Sequence, residues 1–273
     1  MLTLLRHGPE PGASARRPLL IAHGLFGSAR NWGAIARRLA ADRPVLAVDM
    51  RNHGTSPWTE GHGYPDLARD LAQVIEAEVI EAEAGGAEAG GAGKGGAADV
   101  LGHSMGGKAA MALALTRPEL LGRLVVADIA PVAYRHTQMP YLIAMRDMEL
   151  SGLATRSEAD ARLADRIDDP SIRAFLLQSL DLKADPPRWR LNLATLGREM
   201  DTILGWPDLT GRFDGPALFL SGGASDYVRP EQRETIRALF PAARFAKIPG
   251  AGHWLHAERP RDFATAVAAF LDA

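Results

Sequence analysis

An α/β fold, with a mostly parallel central sheet and helices on both faces, is predicted by three features of this 273-residue sequence. Short, continuous apolar runs alternate with stretches of helical period, which is the rhythm of strand-helix-strand units. One junction, Val100-Leu101-Gly102-His103-Ser104-Met105-Gly106-Gly107, sets a serine between two glycines in the pattern G-x-S-x-G. Finally, Asp, His and Ser residues recur just beyond several strand ends, where the loops of a parallel sheet converge on one edge.

The first buried strand reads as Pro18 to Ala22, ending in His23-Gly24-Leu25-Phe26-Gly27-Ser28. Asn31 to Ala41 places Trp32, Ile35, Ala36 and Leu39 at helical spacing. Pro44 to Asp49 is a second buried strand, and it runs into Met50-Arg51-Asn52-His53-Gly54-Thr55-Ser56. From Tyr64 to about Glu83, the spacing of Leu67, Leu71, Val74, Ile75 and Val79 marks an amphipathic helix with an acidic tail. Residues 84–98 are almost wholly Gly, Ala and Glu and read as a flexible loop within the core, too poor in apolar side chains to order itself. Lys94 lies there without the spacing of a phosphate-binding loop.

The G-x-S-x-G segment reads as strand, tight turn and alanine-rich helix. The glycines remove Cβ atoms where strand and helix approach, and Ser104 is lifted to the apex of the bend. A charge developing beside it would meet free backbone N–H groups and the positive end of the helix. The run from Leu121 to Pro131 reads as the next strand, with Asp128 at its C-terminal end. The strand rhythm is then lost over 133–207, which reads as a helical lid inserted before the penultimate strand. Its apolar residues, among them Met139, Tyr141, Met145, Met148, Ile172, Phe175 and Trp189, are expected mostly to pack the lid itself, with some facing the cleft. Pro216 to Gly223 resumes the sheet and leads to Asp226. A helix over 231–239, an edge strand over 244–249, Gly250-Ala251-Gly252-His253-Trp254 and a closing helix from Pro260 complete the chain. The expected division is a core of 1–132 and 208–273 around the 133–207 lid.

Composition narrows the chemistry. With 47% hydrophobic residues and a net charge of −2, no basic surface is advertised for nucleic acid or anionic lipid, so small neutral or weakly charged molecules are the expected partners. The absence of cysteine removes disulfides, thiolate nucleophiles and thiolate metal sites. The apolar run at Met1 to Leu5 is too short for a signal peptide and no later run could span a bilayer, so the expectation is a cytoplasmic chain without stable membrane insertion. No His, Asp and Glu cluster has zinc-ligand spacing, and no metal or organic cofactor is expected.

A serine hydroxyl needs a base near neutrality to take its proton and a carboxylate to hold that base in the right tautomer. Ser104, then Asp128 or Asp226, then His253 supply these groups in the order Ser, Asp, His. The segments 23–28, 49–56, 102–109 and 250–254 resemble the α/β-hydrolase family, and within it the esterase subgroup of bacterial YbfF and the animal abhydrolase-domain-11 proteins. The resemblance implies the α/β-hydrolase fold, Ser104 as nucleophile and His253 as general base. It places the oxyanion hole at the backbone N–H groups of Leu25 and Met105, and the acid at Asp226, with Asp128 as the alternative. His23 is expected to brace the oxyanion loop, His103 to point away from Ser104, and Asp49 with Arg51 to hold the Asn52-His53-Gly54 turn.

The implied function is hydrolysis of carboxylic esters or thioesters of small, acyl-chain substrates through an acyl-enzyme. The same triad could serve C–C bond or amide hydrolysis or cofactor-free perhydrolysis, and a low-turnover ligand receptor is the reading from another class. Haloalkane dehalogenase chemistry is disfavoured, because it needs an Asp where Ser104 stands.

Overall fold

A computed structural model of the chain describes residues 1–11, 13–14, 16–80 and 98–273. Strands β1 (Leu4–His7), β2 (Leu19–Ala22), β3 (Val45–Val48), β4 (Ala98–His103), β5 (Leu121–Ala127), β8 (Ala217–Gly222) and β9 (Ala243–Ile248) form a seven-stranded sheet in the order β1-β3-β2-β4-β5-β8-β9. All neighbours run parallel except β1, which pairs antiparallel with β3 at the edge. That edge strand was not legible from sequence, since Leu4-Leu5-Arg6-His7 is short and half polar. The loop expected over 84–98 lies outside the described residues except for Ala98, the first residue of β4.

Strands β2 and β3 are apolar at every position, and β4, β5 and β8 are mostly so, because both sheet faces are covered. Alternate side chains leave in opposite directions. Leu20, Ala22, Leu46, Val48, Val100, Leu124, Val126 and Phe219 thus join one apolar cluster, with α2 (Tyr64–Ile75) and α3 (Met105–Thr116). Leu19, Ile21, Val45, Ala47, Leu101, Val125, Leu218 and Leu220 join the other, with α1 (Gly33–Leu39) and α11 (Pro260–Leu271). Helix α2 ends at Ile75 and passes without a break into a wider helical turn over Glu76–Ile80; the last residues of the helix expected to about Glu83 lie outside the described residues.

Between β5 and β8 the chain forms α4 (Met139–Arg146), α5 (Arg156–Ala164), α6 (Pro170–Leu176), a short hairpin of β6 (Leu180–Asp181) and β7 (Arg188–Trp189), α7 (Leu193–Arg198) and α8 (Met200–Leu204). Two local signals explain where these helices start. Thr155 and Glu158 form a capping box on α5, and Asp169 caps α6 by accepting from the Ser171 N–H. Leu142, Met145, Leu163, Trp189 and Leu196 are buried in the apolar cluster on the α2/α3 face, and the Trp189 indole N–H donates to the Met145 carbonyl at 2.8 Å. Helices α9 (Arg233–Leu239) and α10 (Leu255–Glu258) complete the fold. Among the described residues no helix is long and apolar enough to cross a membrane.

Topology positions the site. From β2 the chain moves outward to β3, then crosses back to β4 on the other side of β2. Loops leaving β2 and β4 therefore diverge, and a crevice opens beyond their C-terminal ends.

Candidate active site

Ser104 stands at the end of β4 with φ 52° and ψ −119°, the strained conformation that lifts its hydroxyl above the sheet. Its glycines are dictated by contact. A Cβ on Gly102 would lie 2.2 Å from the Gly106 carbonyl oxygen, and one on Gly106 would lie 2.4 Å from that of Ala22.

Three side chains distant in sequence form one hydrogen-bonded line. Ser104 Oγ lies 3.1 Å from His253 Nε2, and His253 Nδ1 lies 2.8 Å from Asp128 Oδ2. These partners require the tautomer in which Nδ1–H donates to the carboxylate and Nε2 accepts from the serine. Asp128, fully buried, also has φ 51° and accepts from the Gly222 N–H at 2.9 Å and from the Ser225 hydroxyl.

The preference for Asp226 as the acid is corrected by this geometry. Asp226 keeps 76% of its side chain exposed and pairs with Arg229 at 3.0 Å. The left-handed turn at Asp128 swings that carboxylate under the imidazole, whereas the loop after β8 sends Asp226 outward. That loop delivers Ser225 to Asp128 and lays the Tyr227 ring on the His253 ring, 3.7 Å between centroids and 17° from parallel. Neither contact was foreseen, and an aromatic residue after a strand carries no signal that would have found it.

Leu25 and Met105 both line the cavity beside Ser104. Met105 opens α3, so its N–H has no acceptor within the helix. The Leu25 loop is tied down by buried histidines. Phe26 N–H donates to His53 Nε2 at 3.1 Å, Met50 N–H donates to His23 Nε2 at 2.9 Å, and the His23 Nδ1–H donates to Gly24 O at 2.8 Å. Asp49 accepts from the N–H groups of Ala29 and Thr55 at 2.8 and 2.9 Å, which holds the Asn52-His53-Gly54 turn as expected. Arg51 does not share in this; it makes a two-pronged contact with Asp70 on α2 at 2.6 and 2.8 Å. His103 points away from Ser104 and donates from Nε2 to the His253 carbonyl at 2.9 Å. His256 is stacked on Trp32 at 4.2 Å.

Burial is the largest cause depressing the pKa of His23, His53, His62, His103 and His256, with His53 and His103 held well below the ordinary value and His62 and His256 drawn down to about 3. Each is held neutral in the fold but takes up a proton once unfolded. Their contribution to stability is therefore complete above the ordinary value of 6.5 and lost as pH falls toward 3. Urea unfolding is expected to show a loss of at least about 2 kcal/mol between pH 7.5 and pH 5, the share of one such histidine. A flat profile over that interval would contradict neutral, buried rings.

The cleft around Ser104 spans about 800 Å³ of empty space, part of it open to solvent. Its far wall comes from the segment between β5 and β8, through Tyr134, His136, Tyr141, Ile172, Phe175 and Leu204. Met139, Met145 and Met148 pack in or against the apolar core, while Tyr141, Ile172 and Phe175 face the cavity, so its apolar wall is aromatic and branched aliphatic. Lys108 also lines the cavity, with Nζ donating to the carbonyls of Leu204 and Gly205 at 2.9 and 2.5 Å. Burial draws its pKa down to about 7. Among the described residues, no cluster of His, Asp and Glu side chains could hold a metal ion.

Known proteins share this architecture. The chain is 37% identical over 261 residues to the sn-1-specific diacylglycerol lipase ABHD11 of Mus musculus, covering 93% of this chain and 80% of that protein. It is 37% identical over 258 residues to the esterase YbfF of Escherichia coli, covering 93% of each. A solved structure named as a marine microorganism esterase superposes with a TM-score of 0.87 at 33% identity, covering 98% of each chain. A family model described as the alpha/beta hydrolase family matches residues 19–266. With nearly the whole sheet domain inside that match and relatives similar over 80% and 93% of their length, the chain belongs to the alpha/beta hydrolase family.

Proposed function

We propose that this hydrolase cleaves carboxylic ester or thioester bonds of small acyl substrates through a Ser104-His253-Asp128 triad and an acyl-enzyme. The observation that carries the reading is the continuous line from Ser104 Oγ through His253 to buried Asp128. As Oγ attacks the acyl carbonyl, its proton passes to His253 Nε2, and the Asp128 carboxylate stabilises the imidazolium through Nδ1–H. The carbonyl oxygen takes the charge and is met by the N–H groups of Leu25 and Met105, each such donor being worth about 3 to 4 kcal/mol in the transition state. His253 then returns the proton to the leaving alkoxide or thiolate. Water, deprotonated by the same imidazole, attacks the acyl-enzyme and releases the acid and free Ser104.

The names of the relatives, a lipase and esterases, favour ester over amide or C–C bonds. Residues 133–207 act as a lid over the 1–132 and 208–273 core, a reading supported by the wall that Tyr134 to Leu204 give the cavity.

A fluorophosphonate probe with a panel of p-nitrophenyl esters and acyl-CoA thioesters of graded length tests the function. Labelling of the wild type, abolished in Ser104→Ala and accompanied by turnover of at least one acyl series, is expected. A folded wild type that neither labels nor turns over any ester points to the ligand-receptor reading instead.

A further inference from the structure

Lys108 is the sole charged residue from Ser104 through Leu115, within a helix that is otherwise apolar or glycine. It is 1% exposed, and its Nζ has two acceptors, both backbone carbonyls, for three N–H donors. The Tyr134 and Tyr64 rings lie 4.8 and 5.6 Å from it. Their hydroxyls are engaged elsewhere, Tyr134 with the Tyr227 carbonyl and Tyr64 with that of Ile203. Among the described residues no carboxylate compensates the ammonium, and burial is the cause that lowers its pKa. A tether to two carbonyls needs only a neutral donor, whereas a buried cation without a counter-charge leaves much of its desolvation unrecovered.

The position of this charge matters. Lys108 is one helical turn beyond Ser104 on the same helix face, long side chains lean back toward the helix N-terminus, and both residues line one cavity. We propose that Lys108 binds a carboxylate at the far end of the substrate's acyl chain, making ω-carboxyacyl esters and thioesters the preferred substrates over their uncharged isosteres. The inference rests on the hydrolase reading of Ser104 and names the substrate class of that site. The incoming carboxylate completes the third Nζ–H and supplies the missing charge, while the aromatic and aliphatic wall takes the methylenes between it and the reacting carbonyl.

The test compares p-nitrophenyl esters whose acyl chains, of graded length, end in a carboxylate or in the isosteric carboxamide. At the matching length the wild type is expected to favour the carboxylate in kcat/KM by about tenfold to a hundredfold, the worth of a charged hydrogen bond. Lys108→Met should abolish that preference and Lys108→Arg should retain part of it. If Lys108→Met does not fold, the wild-type series still decides: equal treatment of the two ends at every length overturns the proposal while leaving esterase activity standing. If neither series is hydrolysed, the hydrolase reading fails separately. The subsite is then read by calorimetry on Ser104→Ala with free dicarboxylates against their monoamides, where tighter dicarboxylate binding supports the proposal and equal affinity overturns it.

Discussion

Ser104→Ala is expected to lower kcat by about 10⁴- to 10⁶-fold, with the residual rate coming from substrate binding and the oxyanion donors. Loss of the hydroxyl should barely disturb the fold. Its only side-chain hydrogen bond among the described residues is to His253, which keeps its bond to Asp128. Alanine also suffers no more than serine from a φ of 52°. The expected stability change is within about 1 kcal/mol, the net worth of one hydrogen bond. The measurement is burst and steady-state turnover of a p-nitrophenyl ester alongside thermal unfolding; full activity in a folded variant would remove Ser104 from the mechanism.

Asp128→Asn and Asp226→Asn should separate sharply. An amide at Asp128 disturbs the tautomer in which His253 presents an unprotonated Nε2 to Ser104, and a loss near 10⁴-fold in kcat is expected from the equivalent change in a serine protease triad. The amide can still accept from the Gly222 N–H, so the fold survives. Asp226→Asn breaks one exposed pair with Arg229, three residues on. That should leave turnover near wild type and cost less than about 1 kcal/mol of stability. Kinetics of both variants on one ester decide the matter, and a severe loss confined to Asp226→Asn would reinstate it as the acid.

Different parts of this protein were legible to different depths. Strands β2, β3, β4, β5 and β8 were readable because burial on both faces forces short runs dominated by apolar residues. Ser104 was readable because a bend that tight tolerates only glycine at 102 and 106, so backbone sterics write themselves into the sequence. His253 follows Gly250-Ala251-Gly252, whereas His256 has no such glycines before it and is stacked against Trp32. These are local constraints, met by neighbouring residues.

The acid could not be chosen this way. Asp128 and Asp226 each follow a strand end, and the direction each carboxylate takes depends on a backbone turn and on what fills the space beneath the imidazole. Edge strand β1 likewise exists only because β3 offers it hydrogen-bond partners. Lys108 is one charge in a mostly apolar helix, and its setting rests on Leu204 and Gly205, nearly a hundred residues away in the chain. By itself the sequence determined the α/β class and the serine at its glycine-flanked bend, since both are fixed by short-range sterics and periodicity, and it singled out His253 as the candidate base. Only the tertiary structure decided the carboxylate partner, the aromatic wall and the buried cation in the cavity, because those depend on side-chain direction and on contacts between remote segments.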